Sequence, residues 1–346
     1  MAKFKRASDI KVGVVGYGPT FNMGRQHLKE MQGAGMTPTA VADADPSRLE
    51  VAAADWPGIQ TYPSPAAMLR KSGVDLVTII TPHNTHTKLA TQALKAGRHV
   101  VVEKPLAITT AQCDGMIAAA KKAGVVLSTY HNRHWDGSIL RALKTIRANT
   151  IGEVVRIEAH FGGWEKPRDW WRSSRSISGG ILFDWGVHLL EYSLQIIQSD
   201  AIEVAGFASS GYWGPKIKWK ADASEDEGFA VVRFASGQWL TLCVSSIDSD
   251  SKYPERGMLE ITGTKGTYVM GYSTWALHTQ RDGQTVVTKG ANPPAEGWRY
   301  YKNVADHLVS GERLVITPQW ARRPIHILDL AVQSAAQGKA LRTKYR

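Results

Sequence analysis

Three side chains in this sequence have the types and placement suited to moving a proton on and off a hydroxyl group: Lys104, Asp184 and His188. Lys104 lies in "HVVVEKPLA", residues 99–107, where three β-branched valines read as a buried strand that runs directly into Glu103, Lys104 and Pro105. Structural need alone does not end a buried strand on two charges, whereas open α/β sheets hold their ligands at the carboxyl ends of strands. Asp184 and His188, in "FDWGVHLL", are four residues apart, so a helix there puts both on one face. A carboxylate beside an imidazole fixes its tautomer and tunes it towards neutrality. That suits oxidation of a secondary alcohol, in which a base takes the hydroxyl proton as the carbon-bound hydride leaves. Read alone, the pair is equally a surface or capping pair.

A hydride needs an acceptor, and "KVGVVGYGPTFNMGRQH" offers a place for one. A buried strand runs into Gly16 and Gly18, where missing side chains allow a tight turn and close approach of a pyrophosphate, and the following helix start supplies free N–H groups. The next glycine, Gly24, comes three residues later than G-x-G-x-x-G requires. The phosphate loop is therefore expected to be long, with Thr20, Phe21, Asn22 and Met23 as cofactor contacts and Asn22 capping the delayed helix. Asp43 ends the next apolar run, about 25 residues after the glycines, where an acid accepts the ribose hydroxyls of NAD and repels the 2'-phosphate of NADP. Arg48 nearby could reach such a phosphate; NAD is favoured, NADP less so.

The elements that must position these residues fall into two textures. Through residue 130, short apolar runs ("KVGVVG", "TPTAVAD", "DLVTIIT", "HVVVE", "VVLSTYH") alternate with amphipathic helical stretches, the pattern of a parallel sheet. From about 152 to 285, longer strands joined by Gly, Asp and Ser turns predict a mostly antiparallel sheet, and helical patterns return in "YYKNVADHLVSG" and "ARRPIHILDLAVQSAAQG". The expectation is an α/β chain with a Rossmann dinucleotide-binding domain over 1–130, joined to an α+β domain over 131–346 that holds the substrate and carries an open sheet for oligomerisation.

With 346 residues, 43% hydrophobic and 21% charged, the chain is large enough for two cores. No apolar run approaches the roughly 20 residues that span a bilayer, so no membrane partner and a cytoplasmic location are expected. The net charge of +11 comes from scattered lysines and arginines. That argues against nucleic acid and is met equally by an anionic cofactor or charged sugar. Cys113 and Cys243 are too few for a disulfide framework and are expected to be buried and inert. His131 and His134 lack the company of a metal motif, so no metal is expected. Ten of the 12 tryptophans follow residue 160, several in "GGWEKPRDWWRSS". Most must serve packing, but flat rings suit the CH face of a sugar, which makes Trp164, Trp171 and Arg172 substrate candidates.

"VTIITPHNTHTKLATQALKAGRHVVVEKPLA" resembles the Gfo/Idh/MocA family of glucose-fructose oxidoreductase and inositol 2-dehydrogenase, whose pattern is a strand, T-P-N-x-x-H, a helix, A-G-K-H-V and E-K-P. Thr81, Pro82, Asn84 and His86 match with His83 inserted, and Ala96, Gly97, His99, Glu103, Lys104 and Pro105 fall in place. "HNRHWDG", "GGILFDWGVHLLEY", "LEITGTKGTY" and the carboxyl-terminal helices extend the likeness over nearly the whole chain. The resemblance implies cofactor contacts at Thr81, Pro82, Asn84, His86, Glu103, Lys104 and Asn132. It makes His188 the acid/base, Asp184 its partner, and Lys104 a donor that orients the hydroxyl; all three would also contact substrate. It implies a NAD(P)-dependent dehydrogenase of a sugar, inositol or sugar derivative, assembled as a homodimer or homotetramer. Two alternatives stay open: an enzyme that keeps NAD bound and cleaves or eliminates through transient oxidation, and a sensor of the same fold without chemistry.

Overall fold

The computed structural model describes residues 4–19, 21–249 and 258–345, so Thr20 lies outside the described residues. The chain divides into two compact units, one running through Asn132 and taking in Trp298–Arg322, the other Arg133–Gly297 with the residues from Arg323 onward.

The first unit is a six-stranded parallel sheet of β1 (Lys11–Val15), β2 (Thr37–Ala42), β3 (Gln60–Tyr62), β4 (Leu76–Ile79), β5 (His99–Val102) and β6 (Leu127–Thr129), in the order β3-β2-β1-β4-β5-β6. This doubly wound order reverses between β1 and β4, which opens a ligand crevice at the carboxyl ends of the central strands. Its five crossover helices are α1 (Met23–Gly33), α2 (Pro46–Asp55), α3 (Pro65–Lys71), α4 (His86–Lys95) and α5 (Thr110–Ala123). Every residue of β4 and β5 is buried, as their largely apolar runs require of strands covered on both faces. Helix starts follow local chemistry: the Asp45 carboxylate accepts the Ser47 N–H ahead of Pro46, and the Ser64 hydroxyl accepts that of Ala67 ahead of Pro65. Asn22 departs from expectation. It stands before α1 in a left-handed conformation, and its side chain makes no capping bond. The returning segment carries the helix Arg299–Ser310, whose Tyr300 hydroxyl lies 2.8 Å from the Ser128 hydroxyl of β6.

The second unit is a nine-stranded sheet made of β7 (Val154–Gly162), β8 (Ala201–Ser209), β9 (Glu227–Phe234), β10 (Trp239–Ser245), β11 (Leu259–Gly263), β12 (Gly266–Met270), β13 (Thr274–Arg281), β14 (Gln284–Ala291) and β15 (Leu341–Arg342). Every pairing is antiparallel except that of the central neighbours β7 and β10, which run parallel. A parallel pair needs a crossover, and the long stretch between these strands supplies it, including α8 (Gly186–Ile196), which packs on β7 and β10. This unit also holds α6 (Gly137–Arg147), the short α7 (Arg175–Ser178) and residues 323–337 of the long helix Pro318–Gln337. Burial alternates along β9: Gly228, Ala230, Val232 and Phe234 are buried, while Phe229 and Val231 are only partly covered. Gly206 marks a close approach on the covered face, where a Cβ would stand 2.0 Å from the Ala331 carbonyl oxygen. Cys113 is buried as expected, but Cys243 on β10 is partly exposed because its strand position faces away from the helices.

Candidate active site

At the end of β1 the chain turns on Gly16, whose φ of 100° and whose Cβ position, 2.4 Å from the Ile80 carbonyl oxygen, exclude a side chain. Gly24 is also sterically required, since a Cβ there would meet the Tyr17 ring at 2.5 Å and the Gly16 oxygen at 2.9 Å. Despite its late spacing it performs the close helix-to-strand packing of a third fingerprint glycine. Gly18 differs: among the described residues, a Cβ on it would meet nothing within 4 Å. The protein itself does not need this glycine, and an approaching dinucleotide phosphate would fill the space a side chain takes, so the loop fits NAD(P). Phe21 is exposed and Met23 opens α1.

Asp43 follows β2 and is fixed by two backbone donors, its oxygens accepting the Tyr17 N–H at 2.6 Å and the Asp45 N–H at 2.9 Å. It thus ties the glycine turn to the strand that ends beside it. The same turn is braced from the other side. The Tyr17 hydroxyl donates to Asp55 at 2.8 Å, and Arg25 grips that carboxylate with bonds of 2.7 and 2.6 Å. Burial and the hydrogen bond to Asp55 push the Tyr17 phenol up to about 12. Desolvation opposes ionisation of Asp55, but the Arg25 and Tyr17 hydrogen bonds outweigh it and hold the carboxyl below its usual range.

The loop after β4 is knitted by the Thr81 and Thr85 hydroxyls, 2.6 Å apart, and by Thr85 donating to the Pro82 carbonyl. Asn84 is exposed. His86 lies within the fold rather than on the surface of this loop. It is fully buried, with ring nitrogens 2.9 Å from the Pro105 oxygen and 2.8 Å from the Thr81 oxygen. Burial pushes its pKa down against the pull of these carbonyls; the neutral ring donates its one N–H to one of the two oxygens and sits between the Thr81–Pro82 turn and the loop after β5. That loop presents Glu103 and Lys104, with a cis Lys104–Pro105 peptide. Glu103, 14% exposed, accepts the Lys104 N–H at 2.8 Å and lies 3.2 Å from His27 Nε2. Desolvation raises its pKa, yet His27 and the charge and N–H of Lys104 prevail and keep it below the usual carboxylate value. Asn132 begins the short 3-10 turn after β6.

In the second unit, Asp184 is not on the helix with His188. It follows the 3-10 turn Ile181–Phe183, and α8 begins only at Gly186, capped at Trp185. Its carboxylate lies 3.7 Å from Arg172 Nε, an ion pair not anticipated from the spacing. The Arg172 guanidinium stands 4.9 and 4.8 Å from the Trp170 and Trp171 ring centroids, so Trp171, Arg172 and Asp184 do come together. His188 is buried in the first turn of α8 and packs edge-on to Trp185, which stacks at 3.9 Å on Phe161 of β7. Trp164 is 52% exposed and groups with Tyr212 and Trp213, at centroid distances of 5.3 and 5.9 Å. Asp136 does not cap α6 with its side chain; it accepts from the Tyr192 hydroxyl at 2.6 Å and Arg133 at 3.1 Å. His134 Nδ1 is 2.5 Å from the buried Glu191. Among the described residues no cluster of three or more His, Cys, Asp or Glu could hold a metal ion.

Two family models match the chain: the oxidoreductase family with an NAD-binding Rossmann fold over residues 10–131, and the GFO/IDH/MocA C-terminal domain over residues 139–269. An uncharacterized oxidoreductase of Escherichia coli, YdgJ, is 28% identical, with 95% of this chain and 97% of that protein covered. Myo-inositol 2-dehydrogenase of Thermotoga maritima is 30% identical, with 74% of each covered. Among solved structures, levoglucosan dehydrogenase in complex with NADH and levoglucosan superposes with a TM-score of 0.83 at 19% identity, covering 97% of this chain and all of that one, a likeness of fold. A glycine turn open to a phosphate, a strand delivering Glu103 and Lys104, and both matched domains lead to one conclusion: the chain belongs to the GFO/IDH/MocA family and is an NAD(P)-binding oxidoreductase acting on CH–OH groups.

Proposed function

We propose that the protein is a NAD-preferring dehydrogenase of a secondary hydroxyl on a sugar, inositol or sugar derivative, working also in reverse on the matching ketone. NAD, when bound, supplies the hydride acceptor. The observation that carries the reading is the open glycine at Gly18, which stands just past the end of β1 with room for a dinucleotide phosphate among the described residues. The preference for NAD rests on Asp43, held beside the glycine turn by Tyr17 N–H, and on Arg48, which is turned to Asp45 at 3.7 Å. Lys104, on a loop braced by Glu103, orients and polarises the substrate hydroxyl, and His188 takes its proton. Asp184 acts with Arg172, a pair whose charged face suits hydroxyl or carboxylate groups of a polar substrate, beside the flat ring of Trp171.

Purified protein assayed with a panel of polyols, inositols and anhydrosugars should reduce NAD with at least one of them, and NAD should bind at least tenfold tighter than NADP, about 1.4 kcal/mol. Product formed without net NADH would move the reading to transient oxidation. Equal or reversed nucleotide affinities in calorimetry would refute the preference.

A further inference from the structure

A chain of buried polar groups runs through the first unit to the loop that carries Lys104. Thr78 Oγ1 on β4 lies 3.0 Å from the Tyr301 hydroxyl, that hydroxyl 2.7 Å from His27 Nδ1, and His27 Nε2 3.2 Å from Glu103 Oε1. The other Glu103 oxygen accepts the Lys104 N–H at 2.8 Å. His27 is wholly buried on α1, and its ring is clamped by Tyr130, edge-on at 4.2 Å, and Tyr301 at 5.8 Å.

An ionised Glu103 can only accept, so Nε2 carries the proton and Nδ1 accepts from the Tyr301 O–H, which in turn accepts from Thr78. Every donor then points one way, towards the carboxylate, and each bond fixes the next. Both His27 nitrogens are satisfied, one by a hydroxyl 274 residues away and the other by the carboxylate next to Lys104, so the ring links the core to that loop. We propose that His27, held by Tyr301, is a positioning residue that clamps the Glu103 carboxylate against the Lys104 backbone and thereby sets where the Lys104 ammonium is presented to substrate. This rests on the reading of Lys104 as the group that orients the hydroxyl. A displacement of about 1 Å in such a group can cost two orders of magnitude in rate.

The test uses the full chain with its lysines isotopically dimethylated, the Lys104 signal being assigned by its loss in Lys104→Ala. His27→Leu should shift that signal and lower kcat roughly tenfold or more with KM nearly unchanged. His27→Gln, which keeps a donor towards Glu103, should restore most of both. Tyr301→Phe, which removes only the hydroxyl, should shift the signal in the same direction by less, and it carries the test should His27→Leu not fold. A Lys104 signal unmoved in folded His27→Leu or Tyr301→Phe overturns the proposal, as does a loss in His27→Gln equal to that in His27→Leu. Lys104→Ala with unimpaired turnover would instead sink the functional reading, while the signal still decides whether His27 positions the loop.

Discussion

Gly16 and Gly18 differ in what a side chain would meet, and that difference separates fold from function at single residues. Gly16→Ala forces a left-handed φ on alanine and drives its methyl into the Ile80 carbonyl, so it should lower stability by about 1–3 kcal/mol in thermal melts. Gly18→Ala meets no atom of the described residues within 4 Å, so its melt should match the parent while NAD affinity falls tenfold or more by calorimetry. If Gly18→Ala binds NAD normally, the fit of the loop to a dinucleotide has been misread. The proton chemistry is tested in the same way. His188→Ala should reduce turnover by roughly 10² to 10⁴ with NAD affinity nearly intact. Lys104→Arg should not rescue a Lys104 loss, because a guanidinium has a different donor geometry and cannot share its proton. Near-normal turnover in His188→Ala would pass the acid/base role to another group.

At the scale of elements, the Tyr17–Asp55–Arg25 brace joins the glycine turn to α2, and its contribution should depend on pH. The folded Asp55 pKa lies below the unfolded one, so its stabilisation is present above about pH 4, the unfolded carboxylate value, and is lost as pH falls through the folded pKa. Asp55→Asn should therefore melt lower than the parent at neutral pH, by about 1.5–3 kcal/mol for charge-assisted bonds, with the gap closing in acid. A gap constant from neutrality to acid would mean that packing, not charge, holds the turn. The brace also shows where reading the sequence stopped. β1, β4 and β5 were legible because short runs rich in Val, Leu and Ile declare strands buried on both faces. β3 was not, because "QTY" has no apolar run and gains its strand state only by pairing with β2. The spacing of four between Asp184 and His188 does not say where a helix begins, and α8 starts after Asp184. His27 stood out least of all. A single histidine on an amphipathic helix reveals nothing of a partner 274 residues away, although "YYKNVADHL" was readable as a helix. Periodicity tells which face of a helix is buried, not against what.

For the whole molecule, the open question is what covers the second face of the nine-stranded sheet. The helices lie on one side, and on the other β8 and β9 turn out Phe207, 59% exposed, beside Phe229 with ring centroids 6.2 Å apart, and Val231. Apolar area left in water forgoes about 25 cal/mol per Å² of burial, so the Phe207, Phe229 and Val231 patch favours association. Size supports it: nine strands about 4.8 Å apart and about seven residues long at about 3.4 Å each give a face of roughly 900 Å². A stable pair needs about 800 Å² from each partner. We therefore expect self-association through this face into a homodimer, or a homotetramer built from two such pairs. Light scattering at micromolar concentration should give a dimer or tetramer mass, and a monomer mass would refute the expectation. Phe207→Lys should shift the mass towards monomer, while its circular dichroism stays that of the parent, because so exposed a position costs the folded subunit within about 0.5 kcal/mol. A variant that keeps the parent mass would show that the subunits meet elsewhere and that the open sheet face is left to solvent.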